Sequence, residues 1–169
     1  MEQNSNIKEQ CRLLWKAVFG DSDEFITQFM ARYFNHEGML FIEQDTKLQS
    51  MLHLVPFELD GMPVAYMYAV ATAAEARGKG YATKLIKQAV KKAKAEGYKA
   101  IATLPADEEL HGFYARLGFC GKYRTTFVTP DGFDFGTGES EKDFTAMLAL
   151  DDSFMVGEKD ITLIYEKRG

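Results

Sequence analysis

The 169-residue chain is 46% hydrophobic and 27% charged, which suffices for one core, so we expect a single domain over residues 1–169. Its formal net charge of -5 argues against nucleic acid as a partner. The sequence shows neither a signal peptide nor an apolar run long enough to span a bilayer, so we expect a cytoplasmic protein without membrane contact.

Two helices are predicted first. Apolar residues recur at helical spacing over residues 6–19, and Gly20 supplies a stop. Asp21 and Glu24 have the spacing of a capping box, which predicts a second helix starting there. The apolar stripe of that helix consists of Phe25, Phe29, Met30 and Tyr33.

Three strands should follow, because apolar and aromatic runs alternate with the turn signals Gln44-Asp45 and Asp60-Gly61. The runs are residues 39–43, 48–59 and 63–72. They read as an antiparallel meander. Tyr66 and Tyr68 lie on one face of the third strand, where they either line an acceptor groove or pack under a helix.

The second half of the chain alternates between helix and strand. Asp107 is a plausible N-cap, and the connection over residues 130–160 is long enough to be a lid or to contain a further small element. This order predicts an α+β fold with a mixed, mostly antiparallel central sheet flanked by helices. The predicted elements are a helix at 80–96, a strand at 100–104, a helix after residue 107, and strands at 123–129 and 161–165.

Residues 77–82, Arg-Gly-Lys-Gly-Tyr-Ala, lie between a predicted strand and a predicted helix, and we call them the glycine loop. Its glycines let the main chain approach a ligand. Free N–H groups and the helix dipole favour an anion at a helix N-terminus, so the loop is typical of a diphosphate site. Seven basic and no acidic residues lie between Arg77 and Lys94. We expect Arg77 and Lys79 to contact phosphate and the later lysines to form a solvated helix face.

Farther along the chain, residues 113–119 read Phe-Tyr-Ala-Arg-Leu-Gly-Phe. The ordered pair of motifs resembles the GNAT superfamily of N-acetyltransferases, with fingerprint [Gln/Arg]-x-x-Gly-x-[Gly/Ala] and second signature Tyr-x-x-x-Gly-Phe. The glycine loop fills the first pattern, and residues 114–119 fill the second. The likeness covers residues 39–129 and looks most like a bacterial subgroup. It implies a GNAT-like acyl-CoA N-acyltransferase fold with splayed central strands.

The resemblance also implies acetyl-CoA as cosubstrate and no metal. The glycine loop would cradle the pyrophosphate of coenzyme A, and the exposed edge of the third strand would pair with the pantetheine arm. Asp107 falls where many members carry an asparagine that bonds this arm. The implied cofactor-binding residues are Val70, Ala71, Thr72, Arg77, Gly78, Lys79, Gly80, Tyr81, Ala82, Asp107 and Phe113.

Acetyl transfer from a thioester to an amine needs a neutral nucleophile, a stabilised oxyanion and a proton for the thiolate. An alkyl amine with a pKa near ~10.4 costs roughly 4.6 kcal/mol to present unprotonated at neutral pH, so a base should assist. The resemblance implies direct attack in a ternary complex, an oxyanion donor in the main-chain N–H near Ala71, and Tyr114 as the proton donor. The alternative for Tyr114 is a packed helix aromatic.

The base is less evident from the sequence. Glu75 precedes the glycine loop and Glu58 ends a predicted strand, so either could reach the acceptor directly or through water. His36 and His53 are candidates by residue type, and a structural role is the alternative for both. The acidic residues at 131–143 would suit a cationic amine by electrostatic steering, or simply form a solvated loop.

Other functions are compatible with the same residues. One is a catalytically silent coenzyme A-binding sensor or interaction module. A weaker one is a dinucleotide-binding oxidoreductase, although Thr83 occupies the third glycine position of the Rossmann fingerprint.

Cys11 and Cys120 have no metal-ligand spacing, so we expect two reduced, buried thiols. Homodimerisation through the late strands is implied by the resemblance.

Overall fold

The computed structural model describes residues 2–136 and 143–167. The helices are α1 (Glu2–Phe19), α2 (Asp23–Arg32), α3 (Tyr81–Ala95) and α4 (Glu108–Arg116), with a short 3-10 helix at Ala74–Ala76. The strands are β1 (Met39–Gln44), β2 (Lys47–Leu59), β3 (Met62–Thr72), β4 (Ala100–Thr103), β5 (Cys120–Val128), β6 (Phe144–Ala149) and β7 (Asp160–Tyr165). None of the helices in these described ranges is long and apolar enough to cross a membrane.

The strands form one mixed sheet in the order β1-β2-β3-β4-β6-β5-β7, and β2 also pairs with β7. Two pairs are parallel, β3 with β4 and β5 with β7. The pairs β1–β2, β2–β7, β4–β6 and β5–β6 are antiparallel. This sheet, flanked by the four helices, confirms the predicted α+β fold.

The β2–β3 hairpin turns where the sequence predicts it. Asp60 and Gly61 both have positive φ, 51° and 80°, as the mirror-image turn of a two-residue hairpin requires. The parallel ladder of β3 and β4 ends with Met67 opposite Thr103, the last residue of β4, whereas β3 continues to Thr72. This difference in length fits the splayed central strands that the resemblance implies.

The chain packs as two compact units, and the first consists of Met1–Leu54 and Ala69–Ala89. Trp15 lies at its centre, with its ring centroid 4.9 Å from that of Phe29. The indole N–H donates to the Asp21 carboxylate at 2.8 Å, and the hydroxyl of Ser22 accepts from the N–H of Phe25. The predicted capping box of Asp21 and Glu24 is therefore wrong, because Ser22 is the N-cap and Asp21 is held by Trp15.

The second unit consists of Val55–Tyr68 and Val90–Gly169. Aromatic side chains from β2, β3, β5 and the segment after β5 form its core. Tyr66 is buried, and its hydroxyl donates to the carbonyl of Phe135 at 3.0 Å. Tyr68 is half-buried and stacks on Tyr66 with 5.7 Å between ring centroids. Tyr66 is thus a core residue, and of the pair only Tyr68 has a partly open ring.

One open expectation for the second unit is decided by the structure, and another needs correction. The long connection over residues 130–160 contains β6, which lies between β4 and β5 in the sheet, so the further small element is a strand that starts at Phe144. Cys120 is exposed, whereas Cys11 is buried as expected, and both thiols are free. Cys120 is the first residue of β5, and the first three residues of this strand are all exposed.

Candidate functional site

The glycine loop is an exposed turn that leads directly into α3. Gly78 and Gly80 have φ of 80° and 78°, and a Cβ at either position would meet nothing within 4 Å. Glycine is therefore required here by backbone conformation and not by crowding. Arg77 and Lys79 are also exposed, so two cations and two glycines share one open surface.

Main-chain N–H groups of this loop are available to a ligand. The first hydrogen bond of α3 runs from the N–H of Lys84 to the carbonyl of Gly80. Within residues 2–136 and 143–167, the N–H groups of Gly78, Lys79 and Gly80 donate to no hydrogen bond. These donors and the dipole of α3 produce the local field that binds a phosphate group.

The segment before the loop is fixed to β2. The N–H of Ala73 donates to the carbonyl of Gln49 at 2.8 Å, and the N–H of Ala76 closes the 3-10 turn on Ala73. The hydroxyl of Tyr81 lies 3.4 Å from the side-chain carbonyl of Gln44. The loop is therefore exposed but held at both ends, so its amides are oriented before a ligand arrives.

The predicted pantetheine edge, Val70, Ala71 and Thr72, forms the end of β3. It follows Ala69, which has φ of 53°, an unusual value for a residue other than glycine that interrupts the regular strand. Ser50 on β2 is fully buried and contacts both the carbonyl of Ala71, at 3.2 Å, and the hydroxyl of Thr72, at 2.9 Å. Ser50 thus fixes one side of this edge.

Tyr114 lies on α4, and its motif determines how that helix ends. Asp107 caps the N-terminus, since its carboxylate accepts from the N–H of Leu110 at 2.8 Å, which confirms the predicted cap. At the other end Gly118 has φ of 97°, so the chain reverses and the N–H of Phe119 donates to the carbonyl of Tyr114 at 3.0 Å. The Tyr-x-x-x-Gly-Phe signature is therefore a helix terminus.

The hydroxyl of Tyr114 is deeply buried. Burial raises the pKa of Tyr114 to about 12, and a hydrogen bond with the Thr103 side chain acts in the opposite direction. Thr103 is itself buried and lies 3.4 Å from the carbonyl of Met67. Phe113 is half-buried beside Tyr114, with ring centroids 5.2 Å apart. Tyr114 is therefore protonated at neutral pH and has a proton to give there.

The two glutamates proposed from the sequence have different surroundings. Glu75 is exposed in the 3-10 helix and lines a cleft of about 350 Å³ together with Leu14 and Val18 of α1. Glu58 is half-buried near the β2–β3 turn, where a hydrogen bond and repulsion from Glu166 raise its pKa. Within the second unit, Glu58 is thus close to Glu166.

The two histidines also differ. His36 is exposed. His53 is only 2% exposed, with its ring 5.9 Å from that of Trp15 and Nε2 3.4 Å from the sulfur of Cys11. Burial lowers the pKa of His53 to about 3, so the imidazole is neutral in the folded core. Its surroundings are those of a structural residue.

The acidic segment is less uniform than its sequence suggests. Asp143 is buried, Asp131 is half-buried and Asp134 is exposed. Glu139 and Glu141 lie outside the described residues.

The lysines of α3 behave as expected for a solvated face, since Lys84, Lys87, Lys91 and Lys94 are exposed, and Lys92 pairs with Glu96 at 2.9 Å.

Two hydroxyl residues at these sites were missed by sequence reasoning. Ser50 lies in the long buried run of β2, and Thr103 ends the apolar run of β4. This was the available signal, but a small hydroxyl in a strand is also an ordinary packing residue. Ser50 contacts the Ala71 edge, and Thr103 acts to lower the pKa of the buried Tyr114. Both effects depend on the folded structure.

Known proteins resemble this chain in sequence pattern and in fold. A family model described as an acetyltransferase (GNAT) domain matches residues 3–120. A comparison with curated proteins finds no match. Among solved structures, the chain is similar to the GNAT family N-acetyltransferase YhbS of Escherichia coli in complex with CoA. The two share 18% sequence identity, the alignment covers 94% of this chain and 84% of that chain, and the TM-score is 0.68.

Two further structures extend the likeness. An acetyltransferase of the GNAT family from Staphylococcus aureus has 13% identity, covers 85% of this chain and 93% of its own, and gives a TM-score of 0.61. A GCN5-related N-acetyltransferase from Anabaena variabilis has 22% identity, with 72% of this chain but 30% of that chain covered and a TM-score of 0.56. At these identities the likeness is one of fold, and the family model itself spans more than half of the sequence. The chain therefore belongs to the GNAT acetyltransferase family.

Proposed function

We propose that this protein is an N-acetyltransferase that moves the acetyl group of acetyl-CoA to a primary amine of a small molecule or peptide. Membership of the family supports acyl transfer from a coenzyme A thioester. The observation that carries the finer proposal is the glycine loop, where main-chain N–H groups without a hydrogen-bond acceptor among the described residues precede α3 beside two exposed cations. Such an arrangement fits the diphosphate of coenzyme A.

The cosubstrate would be held mainly by main-chain groups. The amides of residues 78–82 bind the diphosphate, with Arg77 and Lys79 beside it, and the edge at residues 70–72 pairs with the pantetheine arm as an added strand does. Phe113 and Asp107 are the further candidates on and before α4. The N–H of Ala71 is the proposed oxyanion donor, an interaction often worth about 3 kcal/mol.

The reaction is a direct attack within a ternary complex. The amine nitrogen forms a bond to the thioester carbonyl carbon, the carbon–sulfur bond breaks, and the sulfur takes the proton of the Tyr114 hydroxyl. The proton that the amine loses passes to a base or water and returns to the tyrosinate. Atoms and charges balance without an acyl-enzyme, and the exposed Cys120 is not needed.

The pKa of Tyr114 constrains how it donates. A phenol with a pKa of about 12 lies about 3.5 units above a thiol, so complete proton transfer to a free thiolate is uphill by about 5 kcal/mol. Tyr114 therefore acts while negative charge develops on the sulfur, by hydrogen bonding first and transferring its proton as the bond breaks. A hydrogen bond that stabilises the tyrosinate lowers this barrier.

For the base we retain Glu75 and Glu58. Glu75 lies next to the glycine loop in a cleft with apolar walls, and Glu58 has a raised pKa beside Glu166. His53 is disfavoured by its burial, and His36 is exposed to solvent. Glutamine variants of each glutamate, assayed across pH, should identify the one whose loss removes the acid limb of the rate profile.

We further propose a cationic acceptor, a cytoplasmic location, a single GNAT-like domain over residues 1–169, and a homodimer. The acceptor proposal rests on the net charge of -5 and on the carboxylates of Asp131 and Asp134 in the partly exposed segment after β5, which would attract a polyamine, aminoglycoside or lysine side chain. Size-exclusion chromatography with light scattering tests the dimer.

The proposed function is tested by thiol release. Purified protein is mixed with acetyl-CoA and a panel of amines, and free coenzyme A is measured together with the acetylated product by mass spectrometry. We expect amine-dependent release that falls strongly in Tyr114→Phe. Tight coenzyme A binding with no amine consumed across a broad panel would instead support the silent binding module, and absence of coenzyme A binding would overturn both.

A further inference from the structure

We propose that Ser50 is a positioning residue, which holds the end of β3 so that the main-chain N–H and C=O of Thr72 both point away from β2 and toward a ligand. The ligand group that fits them is a secondary amide of the pantetheine arm of coenzyme A. This inference deepens the proposed function and rests on it. Ser50 lies on β2, is fully buried, and belongs to neither sequence motif.

The peptide group between Ala71 and Thr72 is held by the side chain of Ser50. The Ser50 hydroxyl donates to the carbonyl of Ala71 at 3.2 Å, so this carbonyl points toward β2. The C=O and N–H of a planar trans peptide point in opposite directions, and this peptide bond is trans. The N–H of Thr72 therefore points away from β2.

The next peptide group, between Thr72 and Ala73, has the reverse orientation. Its N–H belongs to Ala73 and donates to the carbonyl of Gln49 on β2 at 2.8 Å. Its C=O belongs to Thr72 and, because this peptide bond is also trans, points away from β2. Thr72 thus presents one donor and one acceptor on the same side, as a residue in a β-ladder does.

The side of Thr72 that faces away from β2 is the edge proposed for the pantetheine arm. The neighbour of β3 on that side is β4, and their ladder ends with Met67 opposite Thr103, before Thr72 is reached. A secondary amide carries one N–H and one C=O, so it can exchange two hydrogen bonds with Thr72 as an added strand does. The pantetheine arm contains such amides. It leads away from the diphosphate, whose proposed site, the glycine loop, belongs to the same compact unit as Thr72.

The hydroxyl groups of Ser50 and Thr72 are also hydrogen-bonded, with 2.9 Å between their oxygens. The carbonyl of Ala71 can only accept, so it takes the single proton of the Ser50 hydroxyl. Thr72 must then donate its own hydroxyl proton to Ser50. Because the Thr72 hydroxyl is already used as a donor inside the protein, the N–H of Thr72 is the donor that this residue offers to a ligand.

The test compares two ligands, coenzyme A and the nucleotide fragment of coenzyme A, which keeps the phosphorylated adenosine and its diphosphate but lacks the pantetheine arm. We expect calorimetry to show that Ser50→Ala weakens coenzyme A binding by about tenfold and leaves the affinity for the nucleotide fragment unchanged. Unchanged coenzyme A affinity in Ser50→Ala, or equal losses for the two ligands, would overturn the proposal.

Ile26→Val is the control for a general loss of stability. It removes one methyl group from a fully buried side chain of α2 in the same compact unit as Ser50. We expect it to lower the free energy of unfolding while the ratio of the two ligand affinities stays at the wild-type value. The same change of this ratio in Ile26→Val as in Ser50→Ala would contradict a specific role for Ser50.

A second pair of proteins removes the N–H of Thr72 itself. Thr72→Val keeps the main chain, and introducing the α-hydroxy acid of valine at the same position replaces the N–H by an ester oxygen. We expect the ester protein to bind coenzyme A about tenfold more weakly than Thr72→Val, and to bind the nucleotide fragment equally well. Equal coenzyme A affinity in these two proteins would show that the N–H of Thr72 does not contact the arm, and would overturn the proposal.

These binding measurements do not need turnover. If the wild-type protein binds coenzyme A but acetylates no amine, the proposed function fails, and the affinities for the two ligands still decide the role of Ser50. If the wild-type protein acetylates an amine but binds coenzyme A no more tightly than the nucleotide fragment, the proposed function stands and the inference about Ser50 and Thr72 is wrong.

Discussion

The glycine loop and the surroundings of Tyr114 carry out their proposed roles by opposite physical means. The loop is exposed and acts through main-chain N–H groups, two glycines in the left-handed region and nearby cations. Tyr114 is buried, and its properties derive from desolvation and one neighbouring hydroxyl. Backbone chemistry of the first kind can be read from a sequence motif, whereas a buried side chain acquires its chemistry from residues distant in sequence.

The largest effect should come from a change at the buried Tyr114. Tyr114→Phe removes only the hydroxyl, so we expect kcat to fall about 100-fold, in the range of general acid catalysis, while coenzyme A still binds. Steady-state kinetics with calorimetry of coenzyme A binding checks this, and Tyr123→Phe on β5 is the matched control. A Tyr114→Phe enzyme with wild-type kcat would show that Tyr114 is only a packed aromatic.

Low pH should reveal the effect of a second buried side chain, His53, on the stability of the protein. His53 belongs to the same compact unit as the glycine loop. The pKa of His53 is about 3 in the folded state against about 6.5 unfolded, so the unfolded state binds more protons between these values and stability falls as pH decreases. Between pH 6.5 and 5 this amounts to about 2 kcal/mol.

Urea unfolding at both pH values measures this loss of stability. His53→Leu should show a smaller difference between pH 6.5 and pH 5 than the wild type, because leucine cannot be protonated. If the two proteins lose stability equally, the acid sensitivity belongs to other groups. Acetyl transfer that persists in His53→Leu would agree with a structural role for this residue.

A moderate effect is expected at the exposed loop. Gly80→Ala places a Cβ on a residue with φ of 78°, where the space is open but the conformation costs about 1–2 kcal/mol. We expect coenzyme A binding to weaken by about tenfold with kcat little changed. Gly132→Ala, also at positive φ with open surroundings, is the control. Equal affinity in Gly80→Ala and wild type would argue against a close main-chain contact.

The smallest effect should come from the loop cation. Lys79→Gln should weaken coenzyme A binding by only a few fold in low salt, because an exposed charge is well solvated. The difference from wild type should disappear as salt is raised. Calorimetry at two salt concentrations checks this, and Lys94→Gln at the far end of α3 should have no effect. A large effect that salt does not reduce would mean that Lys79 makes a buried contact.

Most of the fold was predictable because its signals are local. The Asp60-Gly61 turn, the Asp107 cap and the helix stop at Gly118 each depend on residues close in sequence. β6 was missed because its apolar run follows a glycine- and acid-rich stretch that resembles a loop. The cap at Ser22 was misassigned because Asp21 is equally suitable by residue type, and only the contact with Trp15 distinguishes them.

The residues of the candidate site also divide into those with a local sequence signal and those without one. The glycine loop and Tyr114 belong to motifs, so their residues were identified from sequence. Ser50 and Thr103 were not, since their roles depend on partners in other strands and helices. Burial also separates His53 from the glutamates, and burial is not visible in a single sequence without the packed structure.

We propose that the glycine loop binds the diphosphate of coenzyme A through its amides, and amide NMR during a coenzyme A titration is the decisive measurement of this binding. We expect the N–H signals of Gly78, Lys79, Gly80 and Tyr81 to shift most strongly and to follow the binding curve. Saturable coenzyme A binding that leaves these four signals in place would contradict it.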